Sequence, residues 1–170
     1  MQLGLDISTT TTGYALVNKD IIYAMGFVDL KKETDLSDKA WALLNGLAEL
    51  QSFSSIKTIV VEDSLSGFSR GRTSQQTIIK LAKFNAIACF LFEHHLQIKP
   101  VLVNANTARK QLFGKARVKG MSAKDFVKEQ VESKFDINSY IKYTKTGLWD
   151  KRNMDAMDAL VVAKYLLPND

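Results

Sequence analysis

The order of short apolar runs is what most limits the folds open to this chain. Residues 2–7 (QLGLDI), 13–18 (GYALVN) and 21–29 read as three brief strands. The small hydroxyl run Ser8 to Thr12 joins the first two, and Asn18-Lys19-Asp20 joins the second to the third; both are turn compositions. The chain therefore opens as an antiparallel three-strand meander. The pattern then changes period. Residues 37–53 predict a helix, capped by Ser37 or Asp35, with Trp41, Leu44, Leu47, Ala48 and Leu50 on one stripe. Residues 57–62 (KTIVVE) form an unbroken apolar run, as a strand buried on both faces does. A Gly/Ser-rich loop, 64–74, leads into a long helix over 75–95, and 99–103 (KPVLV) is a further strand. Helices are expected at 109–113 and 122–135, around a basic loop at 114–120, and at 152–166, where Pro168 ends the last one. A meander followed by strands alternating with helices predicts an α/β fold, a mixed β-sheet with helices on both faces. No repeat or composition break divides residues 1–170, so a single domain is expected.

A domain of this length buries roughly 70% of its unfolded surface, enough for a core without staples. Its 46% hydrophobic and 24% charged residues are those of an ordinary globular chain and exclude a disordered one. Cys89, the sole cysteine, lies in an apolar run and reads as a small core residue. It has no partner for a disulfide or a zinc pair, which fits a reducing compartment. The start MQLGLDISTT lacks the basic and apolar parts of a signal peptide, and no apolar run reaches the roughly 18 residues of a membrane span. A cytoplasmic protein with no membrane partner is expected.

The formal charge is +5, and its distribution says more than its size. Arg109, Lys110, Lys115, Arg117, Lys119, Lys124 and Lys128 fall in one stretch against a single acid, Asp125. Lys142, Lys145, Lys151 and Arg152 form a second group beside Trp149. Any one of these lysines is ordinarily solvated surface, but so many unpaired like charges together point to a polyanion such as nucleic acid.

Four acids stand where charge should be costly. Asp6 lies inside the apolar strand LGLDI and Glu62 ends TIVVE. Asp155 and Asp158 share one helical face in NMDAMDALVVA, a segment apolar enough to pack on a sheet. Buried ions are costly unless paired or bound to metal. Singly, each has a plain reading: Asp6 as a turn residue, Asp155 and Asp158 as partners of a helix N-terminus. Together they suit a hard cation with oxygen ligands. Magnesium is the natural choice, with manganese able to replace it. Two such ions can clamp the attacking and leaving oxygens of a phosphodiester. Asp63 follows Glu62 directly, but strand alternation sends the two side chains to opposite faces, and Glu62 is favoured to meet Asp6.

These segments carry a family resemblance. LGLDIST…TGYALV is similar to the opening of RuvC-type Holliday junction resolvases, VVED resembles their apolar strand ending in a catalytic Glu, and DAMDALVVA closely resembles their C-terminal D-A-x-D-A-L motif. ANTARKQLFGKARVKGMSAKDFV resembles the stretch in which that family places basic, DNA-facing residues, with a loop a few residues longer here. The resemblance spans nearly the whole chain. It implies a ribonuclease H-like fold and a structure-selective endonuclease that resolves four-way DNA junctions with paired, magnesium-dependent nicks. It implies Asp6, Glu62, Asp155 and Asp158 as catalytic metal ligands and Lys110 and Lys124 near the scissile phosphate. Arg109, Lys115, Arg117 and Lys119 would face DNA. It also implies a homodimer, because two identical sites would make paired cuts in a nearly symmetric branch.

Several residues keep two readings. Ile78, Leu81, Ala82, Asn85, Cys89 and Phe92 form one stripe of the long helix, while Ile79, Ala86, Phe90 and Leu91 make its other faces apolar. A helix apolar nearly all round is expected to be well buried, in the core or in a dimer interface. Phe68, between Gly67 and Ser69 and followed by Arg70 and Arg72, can stack on an unpaired base or fold back on the protein. Trp149 favours packing, and His94 and His95 read as surface residues. A nuclease of the same fold acting on flaps, forks or structured RNA is the nearest rival function. LGLDISTTTTG also resembles the phosphate-binding opening of sugar kinases and actin-like ATPases, but those need two such domains, and Gly67 to Ser74 lacks both the spacing and the lysine of a Walker motif. A catalytically dead DNA-binding module is disfavoured, since it would be free to lose its mutually repelling acids.

Overall fold

The computed structural model describes residues 1–63 and 74–166. Five strands, β1 (Gln2–Asp6), β2 (Thr11–Asn18), β3 (Ile21–Asp29), β4 (Thr58–Glu62) and β5 (Val101–Val103), form one mixed sheet in the order β3-β2-β1-β4-β5. β1, β2 and β3 pair antiparallel as the expected meander, and β4 and β5 add parallel to the β1 side. β2 starts two residues before the expected 13, because Thr11 and Thr12 pair with Asp29 and Val28 and are buried. The turn shrinks to the residues around Ser8, whose Oγ donates to the Thr11 carbonyl (2.8 Å) and accepts from the Thr11 amide (3.2 Å).

Helix limits follow from caps. α1 (Leu36–Ala48) starts at Asp35, whose carboxylate accepts from the Ser37 amide at 2.7 Å. It stops before the expected 53; the serine-rich tail forms a separate 3-10 turn at Phe53–Ser55. Ser74 caps α2 (Gln75–Leu96), and Ser122 caps α4 (Ala123–Lys134). α3 (Ala105–Phe113) begins four residues before the expected 109, because Asn104 accepts from the Asn106 and Thr107 amides. α5 (Asn153–Ala163) completes the set.

The sheet separates two apolar layers. Leu3, Leu5, Leu16, Ile59 and Val61 meet α1 and α2 on one face. Ala15, Val17, Val60 and Val103 meet α3, α4 and α5 on the other. The all-round apolar character of α2 does not translate into full burial. Phe84, Asn85, Ala88, Leu91 and Phe92 are buried, whereas Ile79 is 54% and Phe90 69% exposed. One stripe suffices to cover the sheet, and the opposite stripe is left exposed among the described residues.

α5 is the deepest helix, with nine of its eleven residues buried. It lies directly on β1 and β2 because two strand positions lack side chains. A Cβ on Gly4 would stand 2.3 Å from the Ala163 nitrogen and 2.4 Å from the Ala159 oxygen; one on Gly13 would stand 1.9 Å from the Asp155 oxygen. All three blocking atoms are backbone and cannot rotate away. Overpacking typically costs about 1–3 kcal/mol, so Gly13→Ala is expected to destabilise the fold by at least about 3 kcal/mol in denaturant unfolding. An unchanged unfolding midpoint would show that α5 does not seat at this point.

Candidate metal and nucleic-acid site

Asp6 and Glu62 each end a strand, and the two strands are parallel neighbours with Leu5 opposite Val61. Alternation then puts both acids on the α5 face, since Leu5 and Val61 point to the other layer. The cross-strand neighbour of Asp6 on β2 is Gly13, the residue against which the Asp155 backbone rests. The bare glycine thus lets the first turn of α5 come down beside Asp6, and Asp158 follows on the same helical face.

The first turn of α5 has no cap of its own. Asp150 performs that task from outside. Its carboxylate accepts from the Arg152 amide (3.0 Å) and from the Arg152 guanidinium (2.6 Å), while Arg152 also reaches Asp29 at 2.8 Å. Those hydrogen bonds hold the Asp150 carboxyl down at about 2. The network ties the start of α5 to the end of β3.

The four acids act on one another. Burial, then the charges of Glu62, Asp158 and Asp155, push Asp6 well above the usual carboxylate range, and Lys124 opposes the shift. Glu62 is pushed up to about 7 by burial and by Asp158, against the pull of Arg109. Asp155 and Asp158 are raised too, each chiefly by burial. The geometry therefore gathers, from β1, β4 and α5, acids that resist being charged together.

Two sequence-predicted cations stand among them in different ways. Arg109, expected to face DNA, instead turns inward and pairs with Asp158 at 2.9 Å, both side chains being 13% exposed. Its Nε is buried and has no hydrogen-bond partner among the described residues. Lys124, at the start of α4, is exposed and lowers the pKa of Asp6, Asp155 and Asp158. Lys110 points elsewhere and is exposed, as are Lys115, Arg117 and Lys119 on the loop between Gly114 (φ 75°) and Gly120 (φ 83°). Phe68, Arg70 and Arg72 lie outside the described residues.

Whether the acids suit a metal can be judged from their chemistry. They offer hard oxygen donors, they are partly buried, and their mutual repulsion is what a divalent cation relieves. In their present positions no three His, Cys, Asp or Glu side chains among the described residues are grouped to hold one ion. Asp158 is turned to the Arg109 guanidinium, which serves as a monovalent counter-charge there. The donor set fits magnesium, and ligation by three acids requires side-chain rotation.

The remaining candidates read as structural. Trp149 packs against the α5-side core with the Lys128 ammonium 5.1 Å from its ring centre. The Cys89 thiol donates to Asn85 and is pushed up to about 11 by burial, so it is not a reactive thiolate. His94 and His95 are exposed; His94 stacks on Phe90, and His95 meets Trp41 edge to face. Among the described residues no helix is long and apolar enough to cross a membrane. The inward Arg109 and the Asp150–Arg152–Asp29 network were not legible in the sequence. The Asn104 cap has a signal in the sequence, an Asn directly before a helical run, but the expected start at 109 passed over it.

No protein-family model matches the sequence, and no curated protein does either. The structure does have close counterparts. RuvC from Thermus thermophilus superposes with a TM-score of 0.62 and 12% identity, over 95% of this chain and 91% of that one. The T. thermophilus RuvC in complex with a Holliday junction substrate gives 0.64 and 14%, over 95% and 90%. The yeast mitochondrial Holliday junction resolvase Ydc2 gives 0.55 and 18%, over 95% and 76%. At such identities the likeness is one of fold: the chain has the mixed-sheet, ribonuclease H-like fold of these resolvases.

The raised carboxyl groups fix the sign of a pH effect. Between the ordinary Glu value of 4.5 and about 7, Glu62 binds more protons folded than unfolded, so stability falls as pH rises through that window. In chelator, the thermal midpoint is expected to be lower at pH 8 than at pH 5, and Glu62→Gln to shrink the difference. Magnesium should raise the midpoint more at pH 8 than at pH 5. A midpoint difference unaltered by Glu62→Gln would remove Glu62 from the cluster.

Proposed function

We propose that this chain is a magnesium-dependent endonuclease acting on branched DNA, four-way junctions above all, and that it works as a homodimer making paired nicks. The observation that carries the reading is the convergence of Asp6, Glu62, Asp155 and Asp158 from three separate elements, with Lys124 and Arg109 beside them. Such a set has no structural use that would offset the cost of burying it. The fold supports the same reading, since its counterparts include a RuvC solved with a Holliday junction substrate.

In this mechanism Asp6, Glu62, Asp155 and Asp158 would hold the cation. When bound, magnesium or manganese supplies charge that activates water and stabilises the departing oxygen. The chain's own residues do the rest. Lys124, exposed at the start of α4, donates to a non-bridging oxygen of the scissile phosphate. Arg109 holds Asp158 in place and keeps an unused Nε donor beside the acids. Lys110, Lys115, Arg117 and Lys119 take flanking phosphates, which position the duplex without reading its sequence.

The exposed stripe of α2 supports the dimer. Ile79 and Phe90 are large, apolar and unburied, and Trp41 on α1 is 45% exposed on the same layer. Phe90→Glu is expected to convert a dimer to a monomer in sedimentation; a monomer already in the parent would overturn the assembly.

Cleavage is tested with a labelled four-way junction in magnesium, beside linear duplex and a flap. The parent is expected to nick the junction symmetrically. Asp6→Asn should lose at least about 100-fold in rate while junction binding persists. Equal cutting of flap and junction would keep the nuclease but make it a general branch nuclease. Full-rate cutting by Asp6→Asn would remove Asp6 from the site.

A further inference from the structure

The segment between α4 and α5 forms a small structure that the proposed chemistry leaves unused. After a 3-10 turn at Asn138–Tyr140, Tyr143 pairs antiparallel with Trp149. The Thr144 amide donates to the Leu148 carbonyl at 2.7 Å, the Gly147 amide to the Thr144 carbonyl at 2.9 Å, and the Asp150 amide to the Lys142 carbonyl at 3.1 Å. Gly147 takes the left-handed conformation (φ 79°) that closes the turn. The result is a hairpin over 142–150.

Its base is clamped to the helix that carries two of the acids. Asn153, 2% exposed, accepts from the Lys142 amide (3.0 Å) and donates to the Lys142 carbonyl (2.8 Å). It stands two residues before Asp155. Lys142 and Arg152 both sit over the Phe27 ring, at 4.6 and 4.3 Å. α4 links the hairpin to the site a second time. Lys124 acts on the acids, and one turn along the same face Lys128 lies over Trp149 in the hairpin.

The hairpin presents two large apolar side chains to solvent, Tyr143 at 64% and Leu148 at 68% exposure. Lys142, Lys145 and Lys151, all exposed, flank them along the chain. Lys145 and Lys151 have no carboxylate partner among the described residues. Flat apolar area set among unpaired cations matches one class of partner, a strand that brings both phosphates and base faces. A second copy of the same hairpin would set lysine against lysine.

Resting on the nuclease reading above, we propose that the hairpin over 142–150 is a second nucleic-acid contact that receives the strand leaving the carboxylates. Tyr143 packs against an unpaired base at the branch point, Leu148 on the other face of the turn bears on the adjoining sugar, and Lys145 and Lys151 hold the phosphates on either side. The clamp through Asn153 fixes the distance from this contact to the acids, so the hairpin helps set where the branch lies relative to the cut.

The test uses the full chain carrying Asp6→Asn, a four-way junction with 2-aminopurine at the branch point, and a linear duplex of the same length. Binding is followed by anisotropy and stacking by 2-aminopurine fluorescence. Adding Tyr143→Ala and Leu148→Ala is expected to weaken junction binding about tenfold and abolish the fluorescence change, with Tyr143→Phe near the parent. Adding Lys145→Gln and Lys151→Gln should reduce the slope of log affinity against log salt by about 2. Thermal midpoints should not move, since all four side chains are exposed. If the Asp6→Asn chain prefers junction to duplex and both double variants match it, the hairpin contact is overturned while the nuclease reading stands. If the Asp6→Asn chain binds no DNA, both fall. A change in sedimentation with DNA binding intact would make the hairpin a protein contact and overturn the proposal.

Discussion

The seating of α5 on two bare glycines governs the rest of this molecule. Gly4 and Gly13 let a helix backbone approach the centre of the sheet within a distance that any side chain would forbid. Most of the α5 surface is then buried against β1 and β2, which makes it the core of one layer. The same approach sets Asp155 over Gly13, the cross-strand neighbour of Asp6. Stability and site geometry thus come from one contact. A sheet with ordinary side chains at those positions would hold α5 farther off, and the acids would not interact.

What α5 assembles is electrostatically unfavourable by itself. Burial raises the proton affinity of all four acids, and the neighbouring carboxylates add to the effect at Asp6, Glu62 and Asp155. The chain supplies partial relief through Arg109, tucked against Asp158, and through Lys124 at the rim. Arg109 thus brings a guanidinium into the cluster. Its position means that a divalent ion entering the site would share Asp158 with a guanidinium already in contact. The cost of the cluster is carried by the hydrophobic layers around it, in keeping with the general pattern that functional sites are locally strained and supported elsewhere.

The surface shows a similar division. The basic loop between Gly114 and Gly120 and the hairpin over 142–150 both project from the α5 side of the sheet, where α3 and α4 pack. The exposed apolar stripe of α2 lies on the opposite layer. Charged, nucleic-acid-like surface and apolar, protein-like surface are therefore kept on different faces of one sheet. In the proposed dimer that arrangement would leave both cation-rich faces uncovered.

Much of this was readable in the order of residues. The meander, the alternation that follows it and the helix starts at Asp35, Ser74 and Ser122 come from local periodicity and capping, which operate within a few residues and so leave a mark in the sequence. The four acids were visible as charges in apolar contexts. The start of β2 at Thr11 and of α3 at Ala105 differed, because pairing with β3 and the Asn104 cap outweighed a turn-like composition and a basic run. Which cation meets which acid was decided only by the fold. Arg109 and Lys110 are adjacent on α3 but point about 100° apart, and only packing against α5 selects the first. The exposure of Phe90 was decided the same way, since a helix's composition says how much of it is apolar but not how many of its faces find a partner. Sequence determined what each segment becomes and which charges have no cheap place to go; tertiary structure decided where they meet, because contacts between residues 6, 62, 109 and 158 depend on layers closing over one sheet.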